Sequence, residues 1–275
     1  MANSYAQLGL DPTLVHYTSL YGLQGIVGNH SLFVSHAAFL NDREELVHGL
    51  RAAKDAIQQS SRFHGWNQSK LLPVLNDVVE DYLKTPPDVY VTCFGTDTDS
   101  LTHWRGYCEG QGVSIELSLA GLEQLTGEIG GEFQQVIYSK VGDHGQAATE
   151  IQARVDWLIE RMGSFITNEN QRRLLLAKVV RSAAAAFKHV GFKDETEWRY
   201  VYSEQPAPDF IQFRVRDNVL VPYFVLKGAG PLPITKVTVG PGKDQEFTRK
   251  SIERFLKASG YGIVPVIESN VPYRT

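Results

Sequence analysis

The feature that most constrains this chain is where its strand-like runs fall. Short stretches rich in β-branched and aromatic residues occur at Val89–Phe94, Gly112–Leu117, Gln135–Ser139, Glu197–Tyr202, Phe210–Val215, Val219–Leu226, Ile234–Gly240 and Ile263–Glu268. They bunch toward the second half. In one of them Phe210, Gln212 and Arg214 alternate with Ile211, Phe213 and Val215, the period of two that gives a strand its two faces. A doubly wound sheet needs strands and helices in strict alternation, so this bunching predicts an α+β fold, mostly antiparallel, with a split sheet and helical insertions.

Helical periodicity fills the gaps. Leu46, Leu50, Ala53 and Ile57 are spaced four, three and four apart over 42–60, with Asp42 as N-cap and Glu45 at the capping-box position. Leu71, Leu75, Val78 and Tyr82 repeat the pattern over 68–84, where Pro86-Pro87 forbids continuation. Further helices are predicted over 148–166 (Ile151, Val155, Leu158, Met162, Phe165), 170–189 (Leu174, Val179, Ala183, Phe187) and 245–258 (Phe247, Ile252, Phe255, Leu256). No linker-like run and no internal repeat is visible, so the expectation is a single domain over 1–275, with helical insertions near 42–84 and 148–189.

Charge and motifs then remove function classes. The 275 residues carry 27 Lys and Arg against 31 Asp and Glu, a formal charge of -4, so a nucleic-acid role would need a local basic patch. Cys93 and Cys108 lack zinc-ribbon spacing and cannot form a disulfide framework, and the histidines are scattered, so no metal is expected. The N-terminus has neither a basic n-region nor an apolar h-region, and no stretch has the roughly 20 apolar residues of a membrane span. The expectation is a cytoplasmic protein with reduced thiols. GxGxxG, GxSxG and HExxH are all absent, and Gly240-Pro241-Gly242-Lys243 is too short for a Walker loop and reads as a strand-to-helix turn.

Three segments concentrate chemistry-bearing residues. In the first, a strand with His16, Tyr17 and Thr18 runs into a helix starting near Ser19; a histidine there can bond a ribose hydroxyl, or be a satisfied core residue above an N-cap. In the second, Asp97 or Asp99 caps a short helix whose stripe is Leu101, Trp104 and Cys108, with Ser100 and Tyr107 as the polar members able to face a pocket. That stripe reads as core or as a ligand platform. In the third, Glu195 and Glu197 share one face at a strand mouth, and two carboxylates so placed repel unless a cation, a shared proton or a developing positive charge lies between them. The pair suits an oxocarbenium-like ribosyl cation, or is a solvated strand end with Glu197 paired to Arg199.

With these segments in view, the chain resembles an uncharacterised, largely bacterial family of domains of unknown function. The resemblance rests on His16–Ile26, Leu40-Asn41-Asp42-Arg43-Glu44, Asp99-Ser100-Leu101 with Trp104, Tyr107 and Gly112, Glu195-Thr196-Glu197-Trp198-Arg199, and Gly240-Pro241. The order of motifs is also similar to the ADP-ribosyltransferase superfamily, although Tyr17 stands where a Gly often follows the His. That resemblance implies NAD as substrate, Glu197 as the carboxylate that meets the nicotinamide ribose, and Glu195 as the group that orients or deprotonates an acceptor. It also implies His16, Tyr17 and Thr18 on the NAD-binding strand, with Tyr90, Ser100, Trp104 or Tyr107 around the nicotinamide and Arg105 or Arg199 near the pyrophosphate. The implied activity is transfer of ADP-ribose to a macromolecule, protein or nucleic acid, in a toxin or phage-defence setting with an antitoxin or defence-system partner. The variants are NAD hydrolysis and a non-catalytic nucleotide-sensing or protein-interaction module.

Overall fold

The computed structural model describes residues 12–40, 43–59, 68–108, 110–127, 129–140, 168–203, 209, 211–216 and 218–272. The helix expected over 148–166 and the Asp42 cap lie outside them. β1 (Thr13–Thr18) leads to Ser19, whose hydroxyl accepts the Gly22 amide hydrogen and starts α1 (Leu20–Asn29). Then come β2 (Ser31–His36), α2 (Arg43–Gln59), α3 (Gln68–Lys84), β3 (Tyr90–Phe94), α4 (Leu101–Tyr107), β4 (Val113–Ser118) and α5 (Leu119–Thr126). The remainder is β5 (Glu132–Gln135), β6 (Ile137–Ser139), α6 (Glu169–Ala184), β7 (Phe187–His189), β8 (Trp198–Tyr202), β9 (Gln212–Arg216), β10 (Val219–Lys227), β11 (Ile234–Val239), α7 (Gln245–Ala258) and β12 (Val266–Glu268).

The result is a mixed α and β fold built on a large antiparallel sheet. Six strands run in the order β5-β8-β3-β2-β10-β9, every pair antiparallel. A four-stranded sheet, β1-β4-β11-β12, is antiparallel except for its last pair, and β6-β7 form a small parallel sheet. The two larger sheets touch where β1 passes the end of β3: Val15 and Gly95 exchange backbone hydrogen bonds of 2.9 and 2.8 Å.

Both larger sheets feed one core, with Leu14, Ile115 and Leu117 from one and Val34, Tyr200 and Phe224 from the other, closed by Leu23, Leu122, Ile252 and Leu256 of the helices. Each such side chain contributes about 1.5–3 kcal/mol by leaving water. A second core joins α2, α3 and α6 to the small sheet through Leu46, Leu50, Ala53, Leu75, Val179, Ile137 and Phe187. Gly49 lets α2 and α6 approach, since a Cβ there would lie 2.0 Å from the Ala184 carbonyl oxygen.

Several boundaries differ from the periodicity. The helix expected over 170–189 stops at Ala184, and Phe187 lies in β7, because pairing Phe187 with Ile137 buries both while another helical turn would pair neither. Leu174 is 70% exposed; the buried stripe is Leu175, Leu176, Val179, Val180 and Ala183. The run Gln135–Ser139 is divided between β5 in the large sheet and β6 in the small one. Phe247 is 78% exposed and Leu101 is also exposed, whereas Cys108 is buried beside Trp104. The Gly-Pro-Gly-Lys segment is the turn between β11 and α7.

Candidate functional site

The mouth of β8 is where buried charge gathers. Cys93 pairs with Arg199 and Phe94 with Trp198 across β3 and β8, so Arg199 points to the face shared with Cys93. Just before the strand, the Glu197 amide donates to the Tyr138 hydroxyl at 2.8 Å and its carbonyl accepts from Val136 at 2.9 Å. Thr196 has φ 43° and ψ 47°, a left-handed conformation that a β-branched residue enters only at a cost of about 1–3 kcal/mol. Its hydroxyl meets that of Thr96 at 2.8 Å. Glu195 is therefore not on the strand face assumed from the two-residue spacing; it ends a 3-10 turn, Val190–Glu195, and the kink at Thr196 brings it round.

The two carboxylates nonetheless converge on one cation. Lys188 of β7 places Nζ 2.7 Å from Glu195 Oε2 and 2.8 Å from Glu197 Oε2, with Glu45 Oε2 at 3.9 Å. Arg199 donates from Nε to Glu197 Oε1 at 2.7 Å, from Nη2 to Glu197 Oε2 at 3.1 Å and to Glu45 Oε1, and from Nη1 to the Ala185 carbonyl at 2.9 Å. The Lys188 ammonium also lies over the Phe192 ring, 5.1 Å from its centre. Three carboxylates face two cations, a net charge of -1, with Lys188, Glu197 and Arg199 all buried.

Burial alone would raise the Glu197 carboxyl, but Arg199 first and Lys188 second hold it at about 2. Burial opposes the charge on Lys188 as well, yet Glu197 and Glu45 push that ammonium above its ordinary value. Glu197 uses both oxygens in these ion pairs. Glu195 engages Lys188, and the Tyr107 hydroxyl at a long 3.4 Å, through Oε2, which leaves Oε1 outside both contacts.

Helix α4 and strand β1 supply the neighbours. His103 is 5% exposed, and its ring lies between Tyr17 at 4.7 Å and Tyr107 at 5.8 Å, inclined 20° and 30°. Its Nδ1 has no hydrogen-bond partner among the described residues, and burial lowers its pKa, outweighing the nearby Glu195, Asp97 and Glu197. His16 donates from Nδ1 to the Cys93 carbonyl at 3.1 Å, which fixes the tautomer and leaves Nε2 as an acceptor; burial lowers this histidine too. Burial first, and then the charge on Glu197, push the Cys93 thiol up. His16 and Glu197 thus both border Cys93, one at its backbone and one at its thiol.

The other sequence candidates lie elsewhere. Tyr90 is buried in the main core against His36 and Phe224. Trp104 is buried against Tyr17, and its Nε1 donates to Asp99 at 2.9 Å. The Tyr17 hydroxyl donates to the Asp97 carbonyl at 2.7 Å and accepts the Ser100 amide at 2.9 Å, so it ties β1 to the start of α4. Neither Asp97 nor Asp99 is the N-cap of α4: that position is Ser100, without a side-chain cap bond, while Asp99 accepts from Ser269 and from the Asn270 amide. Thr18 offers its carbonyl to the Cys108 thiol at 3.5 Å. Arg105 is exposed, and Arg199, bound to Glu197 and Glu45, is not free for a pyrophosphate.

Sequence reasoning missed Lys188, Tyr138, His103 and the true role of Glu45. A signal existed for Lys188, a lone cation within Ala183–Phe192 where nearly everything else is apolar or small, since a buried lysine demands carboxylates. Among the described residues, no group of His, Cys, Asp and Glu is arranged to hold a metal ion. No described helix is long and apolar enough to cross a membrane.

Residues 103–200 match a protein family described as a protein of unknown function (DUF2971), in keeping with the domain-of-unknown-function resemblance of the sequence. The matched stretch begins at His103 and ends at Tyr200, and so contains Tyr107, Lys188, Glu195, Glu197 and Arg199. No curated protein and no solved structure matches the chain.

Proposed function

We propose that the protein cleaves the nicotinamide–ribose bond of NAD and transfers ADP-ribose to a macromolecule, on an ADP-ribosyltransferase-like arrangement of two sheets that meet beside His16, at Val15 and Gly95. The observation that carries this reading is the pair of carboxylates that share Lys188 Nζ, at 2.7 and 2.8 Å, at the strand mouth next to that junction. A site in which carboxylates outnumber cations, three to two, favours a ribosyl cation as it develops.

In the proposed reaction the bond between ribose C1′ and the nicotinamide nitrogen breaks, and its electron pair leaves with neutral nicotinamide. An acceptor nucleophile then bonds to C1′ and loses its proton. Glu195 Oε1 stabilises the cation and takes that proton. Glu197, saturated by Lys188 and Arg199, holds the frame instead of touching the sugar. His16 Nε2 accepts from a ribose hydroxyl, and the half-exposed Tyr107 ring flanks the nicotinamide, with Arg105 on the same helix for the pyrophosphate.

A second reading is favoured by the saturation of Glu197: a nucleotide-binding or protein-interaction module in which the charge cluster is only architectural. The purified protein incubated with labelled NAD, with and without lysate, separates them. Label on macromolecules supports the transferase, free ADP-ribose without transfer supports NAD hydrolysis, and binding without turnover supports the module. Loss of turnover is expected in Glu195→Gln; full activity there removes Glu195 from the chemistry.

A further inference from the structure

We propose that Lys188 is a positioning residue for the Glu195 carboxylate, and that the small β6-β7 sheet exists to clamp the Glu195-Thr196-Glu197 turn; this rests on the NAD-cleaving reading above. Tyr138 and Lys188 are register partners in that parallel sheet. Both reach the same turn, Tyr138 by accepting the Glu197 amide hydrogen at 2.8 Å and Lys188 by bonding both carboxylates. One register pair therefore fixes the turn's backbone and its two side chains together.

The turn needs such a clamp. Thr196 sits in left-handed backbone, and strain of that kind persists only where the surroundings over-determine it. A buried carboxylate, Glu197, and a half-buried one, Glu195, repel each other at this range unless a cation lies between them. Lys188 is that cation, and with Glu195 held through Oε2, Oε1 is the oxygen left to face a substrate.

The ionisable groups around the pair come from every side: Glu45 from α2, Cys93 from β3, His103 and Tyr107 from α4, Tyr138 from β6 and Arg199 from β8. Arg199 bonds Glu197 and Glu45, so Lys188 is the cation that serves Glu195.

The test compares wild type with Lys188→Met and Lys188→Arg by the pH profile of kcat/KM for NAD. Lys188→Met is expected to lose about a hundredfold in kcat and to move the acid limb up by about 1–3 pH units, with Lys188→Arg restoring the position of that limb. A purely architectural lysine would lower the melting temperature and leave the acid limb in place, which overturns the proposal.

Titration of 13C-labelled glutamates by NMR gives a readout independent of turnover. In Lys188→Met one proton should enter the pair about 1–3 pH units higher than in wild type. If wild type leaves NAD intact, the NAD reading fails and this titration still decides the clamp: an unshifted titration refutes it. Where Lys188→Met does not fold, Lys188→Gln, which retains a donor for the two carboxylates, is titrated in its place under the same criteria.

Discussion

Replacing Glu197 by Gln removes one charge from a cluster whose other members stay buried. The carboxyl lies at about 2 against an ordinary 4.5, a difference worth about 3–4 kcal/mol at the conversion of roughly 1.4 kcal/mol per pH unit. The cost of breaking a buried ion pair by deleting one partner, about 3–5 kcal/mol, points to the same size. Gln cannot recover it, because its amide nitrogen would meet the donors of Lys188 or Arg199. The sign follows from the depressed pKa: the contribution is complete above pH 4.5 and is lost as pH falls toward 2. Urea unfolding of both proteins at pH 7 should therefore differ by about 3–4 kcal/mol, and the gap should narrow steadily below pH 4.5. A gap under about 1 kcal/mol at pH 7, the size of an exposed pair, or one that does not narrow in acid, would refute the buried-network reasoning.

Two further substitutions probe the frame that holds the cluster. Gly49→Ala puts a methyl 2.0 Å from the Ala184 carbonyl oxygen and should cost about 1–3 kcal/mol by forcing α2 from α6, read as a lowered melting temperature; an unchanged one would mean the helices part freely. Tyr17→Phe deletes the hydroxyl shared by Asp97 and Ser100 and should cost about 1–3 kcal/mol in chemical denaturation, while Trp104 fluorescence reports any loosening of α4.

Much of the frame was legible because its signals are local. Ser19 ahead of Leu20 is an N-cap in sequence and in structure, and Gly240-Pro241 closes β11 as turn chemistry requires. Leu46, Leu50 and Ala53 of α2, Leu75 and Val78 of α3, and Ile252 and Leu256 of α7 are buried at the expected helical spacing. β2 escaped because Leu32, Val34, Ser35 and His36 are all buried, so the strand lacks the alternation that marks a half-exposed one. The end of α6 escaped because Ala183–Ala186 favours helix everywhere, and only the distant pairing of Phe187 with Ile137 explains why the chain leaves it.

At the site, of the three options open for the Glu195 and Glu197 pair, a cation, a shared proton or a developing positive charge, the structure holds the first in Lys188, and Glu197 also pairs with Arg199. The pairing is buried rather than solvated. What no local pattern could supply was the identity of the cation, since Lys188 arrives through the β6-β7 pairing and Glu45 through α2. Tyr90 and Trp104 are both buried, Trp104 in keeping with the core reading of its stripe: aromatic residues in a motif-rich segment fill the core beneath a site as readily as they line it.

If the carboxylate pair around Lys188 serves NAD cleavage, wild type and Glu195→Gln must differ in their release of labelled nicotinamide from NAD. Wild type should release nicotinamide and the variant about 10²-fold less or lower still, while the variant keeps a cooperative melting transition. Intact NAD after prolonged incubation with folded wild-type protein and lysate, or equal release by both proteins, would contradict that role.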